Sequence, residues 1–282
     1  MKTKTKKSFS FFLICFLLCC LLPAVMQADT GPKPSVKIEF QHLPEGCYVT
    51  LLSEVESTGP HSVGSEDYGD EAAAFDAFSS YQDSDGFYFL GYYSRVKENV
   101  FAWNYYPPER FKVAWWDPAT QEVTVMDEIL ERYAFDSYYF LDLQKVPVAR
   151  KNYDYQAEIF GLICRVVLTL LVELSLALLF RFGQKRNVLL LLGLNLTTQI
   201  LLNLVILPAG YMNGPVRFFS LYWMMELLIL VLEGAFCLFF LPKQAETSAG
   251  IKKTHPILYA LTANLLSFGL GLWLSLLIPS VF

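Results

Sequence analysis

The stretch from Phe218 to Phe240, FFSLYWMMELLILVLEGAFCLFF, decides how this chain is read. About 20 residues at ~1.5 Å each cross the ~30 Å hydrocarbon core of a bilayer, so this unbroken apolar run is long enough for a membrane-spanning helix. It carries two carboxylates, Glu226 and Glu233, seven residues apart and therefore on one helical face. Ionisable groups at membrane depth are costly and normally face a bundle interior or a wet cavity. Other helices must cover that face.

Three further apolar runs, 159–180, 188–207 and 257–278, complete a set of four spans with 218–240. The segment 181–187 between the first two carries Arg181, Lys185 and Arg186; the segment 241–256 between the last two carries Lys243, Lys252 and Lys253. The middle connection, Pro208–Arg217, has only Arg217. The positive-inside rule makes 181–187 and 241–256 cytoplasmic and places the middle loop and the C-terminus, Pro279–Phe282, outside. Arg150 and Lys151, before the first span, run against that assignment.

The N-terminus agrees with the same orientation. Lys2, Lys4, Lys6 and Lys7 precede the apolar run SFSFFLICFLLCCLL and Pro23, the pattern of a secretory signal peptide covering 1–28. Ala28 is the expected cleavage residue, although Met26 is bulky for its position. If uncleaved, the segment becomes a further anchor with the same orientation. Cys19 and Cys20 lack the small preceding residues of a lipoprotein signal.

Charge divides the chain into two parts. Residues 29–158 hold 23 acidic and 10 basic side chains, a balance of −13; the remainder holds 4 acidic and 12 basic, a balance of +8, within a total of −5. An acidic first half argues against nucleic acid or an anionic lipid surface as its partner. The chain is 54% hydrophobic, with mean hydropathy +0.36, too apolar for an ordinary soluble protein. Of the 6 cysteines, Cys47 alone lies in the acidic part, so that part contains no disulfide; a disulfide-free exported domain fits a bacterial envelope better than an animal secretory route.

Residues 29–155 have the size of one domain. Ser35–Phe40 and Cys47–Leu52 alternate apolar and polar residues and read as strands around a turn at Leu43–Gly46. Further strands are expected at Phe87–Val96, Phe111–Trp116, Glu122–Met126 and Tyr133–Leu143, with a helix over Glu71–Tyr81. Asp117-Pro118-Ala119-Thr120 is a hairpin turn, because Pro presets φ there. Short strands with little helix predict an all-β, sandwich-like extracellular domain ahead of a four-helix transmembrane bundle spanning 156–282. The aromatic-rich stretch from Tyr81 to Phe140 reads either as core or as an exposed platform for a peptide or glycan. Alternation along Phe111–Trp116 makes Trp116 the better candidate for a surface role. Asp83-Ser84-Asp85-Gly86 resembles the start of a calcium loop but lacks the acid at its twelfth position, where Ser94 stands; a plain Asp-Gly turn is the competing reading.

Counting depth from the outer helix ends at ~1.5 Å per residue sorts the intramembrane polar residues into two layers. An inner layer at ~18–22 Å holds Glu173, Asn195, Glu233 and Asn264; an outer layer at ~6–12 Å holds Arg165, Gln199, Asn203 and Glu226. Arg165 with Glu226 is a plausible pair, which leaves Glu173 and Glu233 without a basic partner. They then stay protonated, hold a cation between them, or serve with the amides as interhelical hydrogen bonds. Gly193, Gly269 and Gly271 would permit close helix contact, within the chain or in a homodimer or with another membrane subunit.

No zinc spacing, HExxH helix or G-x-S-x-G elbow occurs, and His42 and His61 lie in apparent turns with no nucleophile beside them. The sequence therefore points to no enzyme, cofactor or metal. Two functional readings remain: a membrane-anchored envelope protein with an exported binding domain, or a small proton- or cation-coupled transport component using the intramembrane carboxylates. Several stretches, among them Tyr48–Glu54, Ser57–Pro60, Asp85–Leu90, Tyr133–Tyr138, Asn195–Gln199 and Glu226–Glu233, resemble a family of exported multi-pass membrane proteins of Gram-positive, clostridia-like bacteria. That resemblance implies the same layout and carries no established activity.

Overall fold

The computed structural model describes residues 31–56, 72–144, 148–241 and 255–277. The signal segment, the Ser57–Pro60 motif, His61, most of 241–256 and Pro279–Phe282 lie outside the described residues. The described chain divides into two compact units, Pro32–Tyr153 and the helices from Asp154 onward.

The first unit is built from two sheets. In one, β10 (Arg150–Lys151), β9 (Asp136–Asp142), β1 (Ser35–Gln41) and β5 (Val100–Trp103) lie side by side in that order. β1 and β9 run parallel, with Val36 opposite Ser137 and Phe40 opposite Leu141. The second sheet orders β3 (Tyr88–Phe89), β2 (Tyr48–Ser53), β6 (Arg110–Asp117) and β7 (Glu122–Val125), with β4 (Ser94–Arg95) on β2 and β8 (Leu130–Glu131) on β6. Alternate residues of both sheets meet in one buried cluster, including Val36, Ile38, Phe40, Val49, Leu51, Phe101, Trp103, Phe111, Val113 and Leu141. This is the sheet-on-sheet packing that period-two alternation predicts.

The expected strand Phe87–Val96 is two short pieces. Gly91, at φ 86°, breaks it, and the Thr50 hydroxyl donates to the carbonyl of Tyr92 at 2.6 Å to pin the bend against β2. β5 was not expected from sequence. The turn leading into it uses Glu98 and Asn99, both at positive φ, and is closed by Val100 N–H donating to Lys97 C=O at 3.0 Å. No Gly or Pro marks it, so the usual hairpin signal is missing.

Trp116 does not take the surface role assigned to it. Its face of β6 is covered by α1 (Ala72–Ser80), where Phe78, Phe87, Tyr93, Ala114 and Trp116 form a second buried cluster. The helix makes this sheet apolar on both faces, so β6 reads as nearly continuous burial. The same outer face contains Lys112, 1% exposed. Its Nζ donates to Asp83 Oδ1 and Oδ2 at 3.1 and 3.0 Å and to Asp85 Oδ2 at 2.5 Å. The two acids that resembled a calcium loop thus hold an ammonium group. Burial opposes the charge on Lys112, but its hydrogen bonds to Asp85 and Asp83 outweigh that and raise its pKa.

The second unit is α2 (Tyr155–Leu179), α3 (Lys185–Asn213), α4 (Pro215–Phe240) and α5 (His255–Leu277). Each packs against two others, in the ring order α2, α3, α4, α5 and back to α2. All four are long and apolar enough to cross a membrane. Their outward faces carry bare apolar side chains such as Leu179, Leu204, Leu265 and Phe239, the last 83% exposed, a surface suited to lipid rather than water.

Both short helix connections have identifiable stops. Asp154 caps α2 by accepting from Ala157 N–H at 3.0 Å. α2 ends on Arg181 at φ 64°. Phe182 N–H bonds Ala177 C=O at 2.8 Å and Arg181 N–H bonds Leu178 C=O at 3.0 Å, the paired bonds of a Schellman stop. The expected middle loop Pro208–Arg217 is not a loop. α3 runs through Pro208 to Asn213, Gly214 turns the chain, and Pro215 begins α4. Pro at a first helical position costs no backbone bond, because that N–H has no intrahelical partner.

Candidate functional site: the polar interior of the bundle

Four-residue spacing on α2 brings Gly161, Arg165, Thr169, Glu173 and Ala177 inward as one buried stripe. α3 turns in Asn187, Leu191, Asn195, Thr198, Gln199, Leu202, Asn203 and Ile206; α4 turns in Phe218, Tyr222, Ile229, Glu233 and Cys237. α5 completes the interior with Tyr259, Ala260, Ala263, Asn264 and Ser267. Each helix therefore presents polar side chains to the same axis.

Glu233, 4% exposed, is the node. Its Oε1 accepts from the Thr198 hydroxyl of α3 at 2.7 Å, and its Oε2 accepts from Asn264 Nδ2 of α5 at 2.8 Å. One carboxyl group thereby joins three helices. Glu173, 3% exposed, approaches from α2, with Glu233 among its electrostatic neighbours and the Ser267 hydroxyl beside its carboxyl. The Tyr259 hydroxyl donates to the Glu173 backbone carbonyl at 3.3 Å and lies next to Asn195.

A second group sits nearer the α3–α4 turn. Tyr222 has both Glu226 and Arg165 as electrostatic neighbours, so a phenol stands within the pairing expected of Arg165 with Glu226. Glu226 is half-buried. Asn203 Nδ2 donates to the Gln199 backbone carbonyl at 2.8 Å, a bond within α3. Apolar clusters flank the carboxyl pair: Ala177, Phe182, Leu191, Cys237, Leu241 and Tyr259 on one side, and Leu202, Ile206, Phe218, Tyr222 and Ile229 on the other.

Sequence reading missed Thr198, Ser267, Tyr222 and Tyr259. Ser and Thr hydroxyls are cheap in an apolar helix because they can bond the carbonyl one turn back, and a Tyr phenol rides on a largely apolar ring, so none raises an alarm in a hydropathy profile. A usable signal did exist: Thr198 and Ser267 each lie three residues after an inward-facing Asn, and Tyr222 four before Glu226. A Cβ added to Gly193 or Gly269 would meet nothing within 4 Å, whereas one on Gly271 would meet the Tyr222 hydroxyl at 2.7 Å. Of the three glycines expected at helix contacts, Gly271 alone serves one here. Among the described residues, no three or more His, Cys, Asp and Glu side chains come together as a metal-binding group.

The sheet unit has its own concavity, a cleft of about 340 Å³ between the end of β2 and the segment Tyr106–Arg110. Pro107 and Pro108 are buried beneath it, and Tyr106 stands at φ 47°. Its rim carries ion pairs, Arg110 with Glu54 at 2.6 Å and with Glu131 at 3.2 Å, and Arg132 with Glu109 at 3.7 Å. No family model, curated protein or solved structure matches this chain.

Proposed function

We propose that this chain is a multi-pass protein of the cell membrane whose acidic sheet unit is exported and binds extended peptide segments, with the helical bundle as its anchor. The cleft beside Tyr106 is the observation that carries the reading. Its volume of about 340 Å³ suits a few side chains of a partner. Tyr106, Pro107 and Pro108 give its lining an apolar portion, and the ion-paired rim offers donors and acceptors. The left-handed backbone of Tyr106 adds support, because such strain costs ~1–3 kcal/mol and collects at binding sites. The basic segment Arg181–Arg186 and the lysines before the first apolar run support an outward-facing sheet unit.

The experiment is binding of the full chain, in lipid nanodiscs, to an immobilised panel of random decapeptides. Retained peptides should lose at least tenfold in affinity on Tyr106→Ala. Retention of nothing above background, or equal retention by wild type and Tyr106→Ala, would end the reading.

The carboxyl pair favours a second reading, a small proton- or cation-coupled transport component. Proton or cation flux in proteoliposomes that is unchanged by Glu173→Gln would exclude it.

A further inference from the structure

We propose that Glu173 and Glu233, both almost fully buried, form a proton-binding site inside the bundle, in which the two carboxyls share one proton. Both oxygens of Glu233 accept hydrogen bonds, from the Thr198 hydroxyl and the Asn264 amide. Those two partners, on different helices, fix the Glu233 carboxyl inside the bundle, and each of its oxygens keeps a second lone pair. The hydroxyls of Thr198, on Glu233, and Ser267, beside Glu173, each have a backbone carbonyl of their own helix as a second acceptor, Asn195 at 3.1 Å and Asn264 at 3.2 Å, so each can donate to a carboxylate or accept from a protonated carboxyl. Two ionised carboxylates sharing a site repel strongly at low dielectric, which favours a single proton for the pair.

The same geometry speaks against a metal cation as the occupant. A cation requires oxygen lone pairs pointing inward, whereas Asn264 turns its N–H toward Glu233. The titratable and charged groups around the pair come from every helix except α3. They are Arg165 on α2, Tyr222, Glu226 and Cys237 on α4, and Tyr259 on α5. On its inward face α3 contributes the neutral Asn195, Thr198 and Gln199. The site uses the same pair as the transport reading, but a proton can be held without being carried across, so absence of flux leaves it intact.

Infrared spectroscopy of the full chain in nanodiscs in D₂O tests it, with Glu226→Gln as the common background so that, among the described residues of the bundle, only the pair supplies a buried acid; Asp83 in the sheet unit is ion-paired with Lys112. At pH 7 exposed carboxyls are ionised, and a C=O band of a protonated carboxyl should remain. It should disappear when Glu173→Gln and Glu233→Gln are combined, and be indifferent to replacing sodium by N-methylglucamine. Thr198→Val, which removes one hydrogen-bond partner from Glu233 without altering charge, should shift the band and serves if the combined variant fails to fold. A band that is absent at pH 7, survives the combined variant, ignores Thr198→Val, or appears only after sodium is withdrawn would overturn the proposal.

Discussion

Lys112 shows what a single buried charge demands of its surroundings. A lysine 1% exposed persists under a helix because Asp83, with 2% side-chain exposure, and Asp85 receive its ammonium. Removing one partner of such a group leaves the other charge buried and uncompensated, at about 3–5 kcal/mol. Lys112→Met is therefore expected to destabilise the protein by that amount, with partial recovery when Asp83→Asn is added. Trp fluorescence during denaturation of the nanodisc-embedded chain reports it, since Trp116 lies on the same face; a Lys112→Met protein as stable as wild type would refute the account. The pH dependence has a defined sign. The folded pKa lies above the unfolded one, so the contribution is complete below the ordinary lysine range and declines as pH rises through the raised value.

Among the elements, the α3–α4 hairpin is the tightest joint. Gly214 sits at φ 81° and ψ −177°, a region essentially restricted to glycine. Its N–H bonds Gly210 C=O at 2.8 Å and its carbonyl receives Phe218 N–H at 3.1 Å. A Cβ on Gly210 would lie 3.0 Å from the Phe218 ring, so the two helices meet at the minimum separation there. Gly214→Ala should cost ~1–3 kcal/mol and lower the thermal midpoint. Gly193→Ala, with nothing within 4 Å of the added methyl, should leave it unchanged. Equal midpoints for both variants would remove the backbone from the explanation.

For the whole molecule, the testable property is orientation. With Glu122→Cys in the sheet unit and Arg186→Cys in the α2–α3 turn, a membrane-impermeant maleimide on intact cells should label the first alone, and the second only after permeabilisation. The reverse pattern would invert the proposed topology. The native Cys47 does not interfere, because burial, and then Asp117, push its thiol up to about 11, leaving little thiolate to react.

The sequence alone determined the four helices, since ~20 apolar residues in a row leave few alternatives, and the two-part layout, since charge and hydropathy change together near residue 155. It also determined that side chains along β1, β2 and β6 alternate between two faces. Other features depended on contacts between residues far apart in the chain. The burial of Trp116 required α1 to close over the outer face of β6, and the role of Asp83 and Asp85 required Lys112, which lies 29 and 27 residues away from them. Polar residues at similar depth were legible within the bundle, but pairing was not. Which hydroxyl or amide reaches Glu233 depends on the rotation of each helix about its axis, and packing of the four helices together fixes that rotation.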